Sequence, residues 1–107
     1  MEKLSQKKCT PCQIELPPIT EFRKNELLFQ LNGWNLVDSH HLYKSYTFKN
    51  FIQALDWVNK IGKIAEEEGH HPDLGLGWGY VNVKLFTHSI DNLTKNDFIF
   101  AAKLDLF

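Results

Sequence analysis

The chain is poor in several things, and each scarcity removes a class of protein. It has two cysteines, Cys9 and Cys12, too few and too close to staple a fold. A reducing cytoplasm is therefore the expected compartment. No apolar run approaches the ~20 residues that a membrane span requires. Met1 to Lys8 is polar, without the apolar core of a secretory signal. Neither sign of charge is in surplus: 12 Lys and Arg stand against 13 Asp and Glu, a formal net charge of −1. A global pull toward nucleic acid or an anionic membrane is therefore not expected. No serine sits in a GxSxG elbow, and the glycines at 75, 77 and 79 are not followed by Lys-Ser or Lys-Thr, so a nucleophile elbow and a phosphate loop are both missing.

Aromatics are plentiful. Three Trp, three Tyr and eight Phe in 107 residues exclude long disorder. The length suits one domain with a real core. Residues 1–18 hold three of the four prolines and little periodicity, and read as an irregular, solvent-side arm before a domain at 19–107. Cys9-Thr10-Pro11-Cys12 could be half a zinc site or a redox pair. No second Cys pair exists, and Pro17-Pro18 stand where a redox motif would have a helix.

Thr20 can cap a helix over 21–32, with Phe22, Leu27, Leu28 and Leu31 as its apolar stripe and Gly33 as its stop. Residues 34–37 and 41–48 read as two strands joined by Asp38-Ser39 turn chemistry. Asn50 can cap a long helix over 51–68, with apolar residues at 51, 55, 58, 61 and 65, ended by Gly69. Leu74 to Leu76 reads as a short strand. Residues 80–87 alternate, with Val81, Val83 and Leu85 on one face and Asn82, Lys84 and Phe86 on the other. Thr94 and Asp97 resemble a capping box before a last helix over 95–106. Strands in pairs between helices predict an α+β fold: a four-stranded antiparallel sheet with three helices packed on one face. The last helix holds more apolar residues than one buried face requires, which suggests an interaction surface.

Three histidines are candidates for chemistry. His70 and His71 follow the glycine stop and precede Pro72, which pushes His71 toward an extended conformation. His88 ends the alternating strand, and parity places it with Asn82 and Lys84 on the open face. His70 and His71 could equally cap the helix carbonyls and complement its dipole. His40 and His41 read as structural. Zinc on His70, His71, His88 and Asp97 is conceivable by ligand type, but the spacing is unlike that of known zinc motifs.

The run Glu66, three spacers, His70-His71-Pro72, five spacers, Trp78, nine spacers, His88, eight spacers, Asp97 resembles the pterin-4a-carbinolamine dehydratase family. The likeness extends upstream through Gly33-Trp34 and residues 43–51, covering roughly 20–107. It implies loss of water from a 4a-hydroxytetrahydropterin to give the quinonoid dihydropterin, in recycling of the tetrahydrobiopterin cofactor. It implies His70, His71 and His88 as acids and base, with no metal and no organic cofactor. Backbone around Gly69 and around Phe86, Thr87 and Ser89 would read the polar edge of the pterin. Glu66 and Asp97 would orient imidazoles, Asp97 being equally readable as only the N3 residue of the last helix, Pro72 would fix the turn, and Trp78 would wall the pocket or simply pack. The resemblance also implies a homodimer or homotetramer. Some members additionally partner a homeodomain transcription factor, which would extend their location to the nucleus. Accessory binding of a pterin or molybdopterin through the same pocket is a further reading.

Overall fold

The computed structural model describes residues 4–7 and 19–107. The Cys9/Cys12 arm motif lies outside the described residues. Seven regular elements follow one another: α1 Glu21–Leu28, β1 Asn35–Val37, β2 His41–Thr47, α2 Phe51–Glu68, β3 Asp73–Gly77, β4 Tyr80–Leu85 and α3 Lys95–Leu104. The fold is α+β, with one antiparallel sheet in the order β1-β2-β4-β3.

Register explains which face is buried. Leu42 pairs with Leu85, Lys44 with Val83 and Tyr46 with Val81. Because side chains alternate along a strand, these residues share the face that meets the helices. Leu42, Val81, Val83 and Leu85 are fully buried there with Phe98, Phe100 and Leu104 of α3. The opposite face carries Tyr43, Ser45, Asn82 and Lys84, with Gly75 and Gly77 of β3 beside them. Gly77 has a steric reason: a Cβ there would meet the Tyr80 ring at 2.2 Å, so only glycine lets that ring lie across the strand.

Local signals set most boundaries. The Thr20 side chain accepts from the Arg23 N–H at 3.2 Å, and Asn50 accepts from the Gln53 N–H at 2.9 Å. Asp38 and Ser39 both have positive φ and form the β1–β2 turn, closed by the His40 N–H donating to the Val37 carbonyl.

Four expectations need correction. α1 ends at Leu28 rather than Asn32, because tertiary partners claim the following backbone: the Asn32 N–H donates to Asp105, and Lys44 Nζ donates to the Asn32 carbonyl. Its buried face carries Lys24 and Leu27, while Phe22 is exposed. β4 stops at Leu85, because the Thr87 N–H donates to the Asn92 carbonyl and folds the chain into a 3-10 turn at His88–Ile90. The N-terminal arm is not wholly solvent-side. Leu4–Gln6 forms a 3-10 turn, Leu4 is buried in the core, and Lys103 Nζ of α3 donates to the Ser5 carbonyl. Finally, α3 ends at Leu104 rather than Leu106, so the apolar excess divides between core and surface. Phe98, Ile99, Phe100 and Leu104 are all buried, and only Leu106 and Phe107 beyond the helix are exposed.

Candidate active site

The C-terminus of α2 builds one wall. Gly69 takes the left-handed conformation, φ 63, that a helix stop needs and that glycine adopts without strain. This reversal sends His70 inward and leaves His71 exposed. Pro72 then leads the chain into β3.

His70 is only 3% exposed, its ring tilted against Phe100. Its Nε2 lies 2.6 Å from Asp97 Oδ1. The other carboxylate oxygen, Oδ2, accepts from Thr87 Oγ1 and from the Thr94 N–H, both at 2.9 Å. Asp97 is fully buried at the start of α3, where a carboxylate also suits the helix dipole. A carboxylate only accepts, so the hydrogen of this pair sits on His70 Nε2. Thr87 spends its one hydroxyl hydrogen on Asp97, so the Thr94 hydroxyl, 2.9 Å away, must donate to Thr87.

The other two histidines repeat the pattern in the open. His71 Nε2 lies 2.8 Å from Glu66 Oε2, on the last turn of α2. His88 Nε2 lies 3.1 Å from Asp73 Oδ2, the first residue of β3. The Phe86 ring packs on the His88 ring, centroids 4.1 Å apart. Each imidazole is thus tied to a carboxylate through Nε2. In the neutral ring this leaves Nδ1 as a bare base, and in the imidazolium it leaves Nδ1–H as an acid.

His70, His71, Thr87, His88 and Ser89 line one cavity of about 160 Å³. Glu66 and Asp97 bond two of its histidines, Phe86 flanks the third, and Gly69 and Pro72 shape the loop. Trp78 is the exception and a correction. It sits at the β3–β4 turn and is exposed. β3 is extended over five residues, which carries Trp78 ~16 Å from the Asp73 end. The parity argument for His88 also fails in its route, since β4 ends before it, although the ring still meets Asp73 of the sheet edge. Two contributors escaped the sequence reading, Asp73 and Thr94. Asp73 could have been found, being an acidic residue directly after the His-His-Pro run.

Among the described residues, no group of three or more His, Cys, Asp or Glu side chains is arranged to hold a metal ion. Likewise no described helix is long and apolar enough to cross a membrane.

At the start of β2, His41 is held below its ordinary pKa, first by burial, then by Lys84 and His40, with Asp38 acting in the opposite sense. Tyr46 on the buried sheet face is pushed well above the ordinary tyrosine range by burial and by Asp105.

The sheet and its helices carry a histidine-lined cavity at the end of the long helix α2. The chain belongs to the pterin-4a-carbinolamine dehydratase family, whose model, described as Pterin 4 alpha carbinolamine dehydratase, matches residues 17–107. A protein of Rubrobacter xylanophilus, provisionally named pterin-4-alpha-carbinolamine dehydratase, is 50% identical over 105 residues, covering 98% of each chain. Among solved structures, a transcriptional coactivator/pterin dehydratase from Brucella melitensis is 33% identical with a TM-score of 0.78, covering 84% of this chain and 97% of that one. A pterin dehydratase-like protein described as a RuBisCO assembly factor in the alpha-carboxysome is 25% identical with a TM-score of 0.58, covering 70% of this chain and 88% of its own.

Proposed function

We propose that the protein is a hydro-lyase that removes water from a 4a-hydroxytetrahydropterin, giving the quinonoid dihydropterin. One observation carries the reading: three imidazoles, each held through Nε2 by its own carboxylate, surround a single cavity.

The chemistry suits that arrangement. The substrate carries its hydroxyl on C4a, next to N5. The N5 lone pair forms the new C=N bond as the C4a–O bond breaks. An imidazolium Nδ1–H protonates the leaving oxygen, which departs as water. A neutral imidazole takes the N5 proton, so one proton is given and one recovered. His70 and His71 serve as acids for hydroxyls on opposite faces of the ring, and His88 acts as base or as orienting partner. Each well-placed acid or base contributes ~10²–10⁴-fold. The reaction consumes no electrons and asks nothing of a cofactor. Backbone at Gly69 and at Phe86 to Ser89 reads the polar pterin edge, and Glu66 and Asp97 hold tautomers.

The names of the relatives support this substrate class. A place in tetrahydrobiopterin recycling, a cytoplasmic location and a homodimer or homotetramer belong to the same proposal and follow from the family resemblance alone. A second reading is a non-catalytic module: accessory pterin binding would use the same histidine cavity, and partner binding is favoured by the exposed Phe107, which lines a groove with Lys60, Lys63, Ile64 and Glu67. The deciding experiment assays 4a-carbinolamine dehydration and pterin binding on the same preparation. Turnover above the uncatalysed rate supports the enzyme. Tight binding without turnover supports the module, and neither result removes the pocket from both readings.

A further inference from the structure

His88, like His71, is tied to its carboxylate in the open. Its side chain and that of Asp73 are each 53% exposed, and a hydrogen bond between such groups fixes little in open solvent. The 3-10 turn it opens is three residues long, and Thr87 gives it no side-chain cap. What holds the ring must come from elsewhere.

His40, at the tip of the β1–β2 hairpin, touches this segment twice. Its Nε2 lies 2.7 Å from Asp91 Oδ1, 51 residues away in the chain. Its ring lies 4.7 Å from the Phe86 ring, and Phe86 packs on His88 at 4.1 Å. Asp91 closes the turn that His88 opens: it has φ 51, and its N–H donates to the His88 carbonyl at 3.2 Å. His40 therefore meets the segment at two points, a tilted ring contact with half-buried Phe86 and a hydrogen bond to the largely exposed Asp91 carboxylate, and the ring contact carries more of the hold. The hydrogen pattern is self-consistent. His40 Nε2–H donates to the carboxylate, so its Nδ1 accepts from His41 Nδ1–H, 3.1 Å away. The hairpin tip is itself anchored, because buried Lys24 donates to the Ser39 carbonyl at 2.6 Å and to Asn92 Oδ1 at 2.9 Å. A fixed platform thus stands behind a poorly fixed imidazole.

We infer that His40 is a positioning residue for His88: through Phe86 and Asp91 it holds the His88 ring with Nε2 toward Asp73. The kinetic consequence rests on the proposed dehydratase reading, whereas the structural claim does not.

Nitrogen-15 NMR of the imidazoles in the full chain, without pterin, tests it. In the parent protein His88 should be mainly the tautomer with hydrogen on Nε2. Because a free histidine side chain also favours hydrogen on Nε2, the readout is ring order: in His40→Ala the His88 Nδ1 and Nε2 resonances should shift toward those of a solvent-exposed histidine and the ring's fast motion should increase. Asp91→Asn, which keeps a residue tolerant of positive φ, should move His88 in the same direction and guards against a folding failure in the first variant. On turnover, His40→Ala should lower kcat about three- to tenfold, with KM changed less than about twofold. An unchanged His88 spectrum in both variants would overturn the inference. If the parent protein turns over no pterin, the spectra still decide the structural claim, so the two failures are distinguishable.

Discussion

His70 and Asp97 are 27 residues apart in the chain and meet at 2.6 Å, with side chains 4% and 0% exposed. A catalytic candidate and the first turn of the most buried helix are therefore joined by one hydrogen bond out of reach of water. The site is not grafted onto the fold at this point but continuous with its interior.

Asp97→Ala should accordingly lose both stability and activity. It strands His70 Nε2, the Thr87 hydroxyl and the Thr94 N–H at once. Removing one member of a buried hydrogen-bonded pair of this kind costs about 3–5 kcal/mol. Urea denaturation measures the loss. A change below ~1 kcal/mol, the range of exposed pairs, would mean that the buried network carries little.

His71→Ala should separate the two properties. The residue is exposed and bonds only to exposed Glu66, so stability should move by no more than ~0.5 kcal/mol. Dehydration of a 4a-hydroxytetrahydropterin should fall at least ~10-fold. Unchanged turnover, with circular dichroism intact, would remove His71 from the proton transfers.

His41 makes an acid-limb prediction. Its folded pKa lies below its ordinary value through burial, Lys84 and His40. The unfolded chain then binds more protons in the window just below pH ~6.5, so stability is complete above that value and falls as the pH drops toward the folded pKa. His41→Gln should flatten that decline. Urea midpoints at about pH 7.5 and about pH 5.5 compare the two proteins, and parallel declines would refute the assignment.

Tyr46 makes the opposite one. Burial and Asp105 keep its hydroxyl neutral in the folded chain to higher pH than in the unfolded chain, so stability declines above pH ~10. The hydroxyl is also buried with no hydrogen-bond partner among the described residues. Tyr46→Phe should flatten the alkaline decline and raise stability at neutral pH by about 1 kcal/mol. A destabilised variant with an unchanged alkaline limb would show that the hydroxyl is satisfied.

Much of this was legible in the sequence because local chemistry decided it. Asn50 and Gly69 bound α2 at both ends, Thr94 and Asp97 mark the start of α3, and the alternation in 80–85 identifies the buried face of β4. What escaped was decided at a distance. α1 is cut short by Asp105 and Lys44, which no local pattern around Asn32 announces. Lys24 is buried because Ser39 and Asn92 receive its ammonium. Trp78 fits the family spacing, yet an extended five-residue strand carries it to the other end of the hairpin. The His70–Asp97 pairing was anticipated only as orientation, and the threonine pair behind it needed three dimensions to see.

The seating of Leu4 on α3 has a practical side. Leu4 to Gln6 cover part of the helix that carries Asp97. Shortened versions beginning at Ile19 would bare that footprint to water.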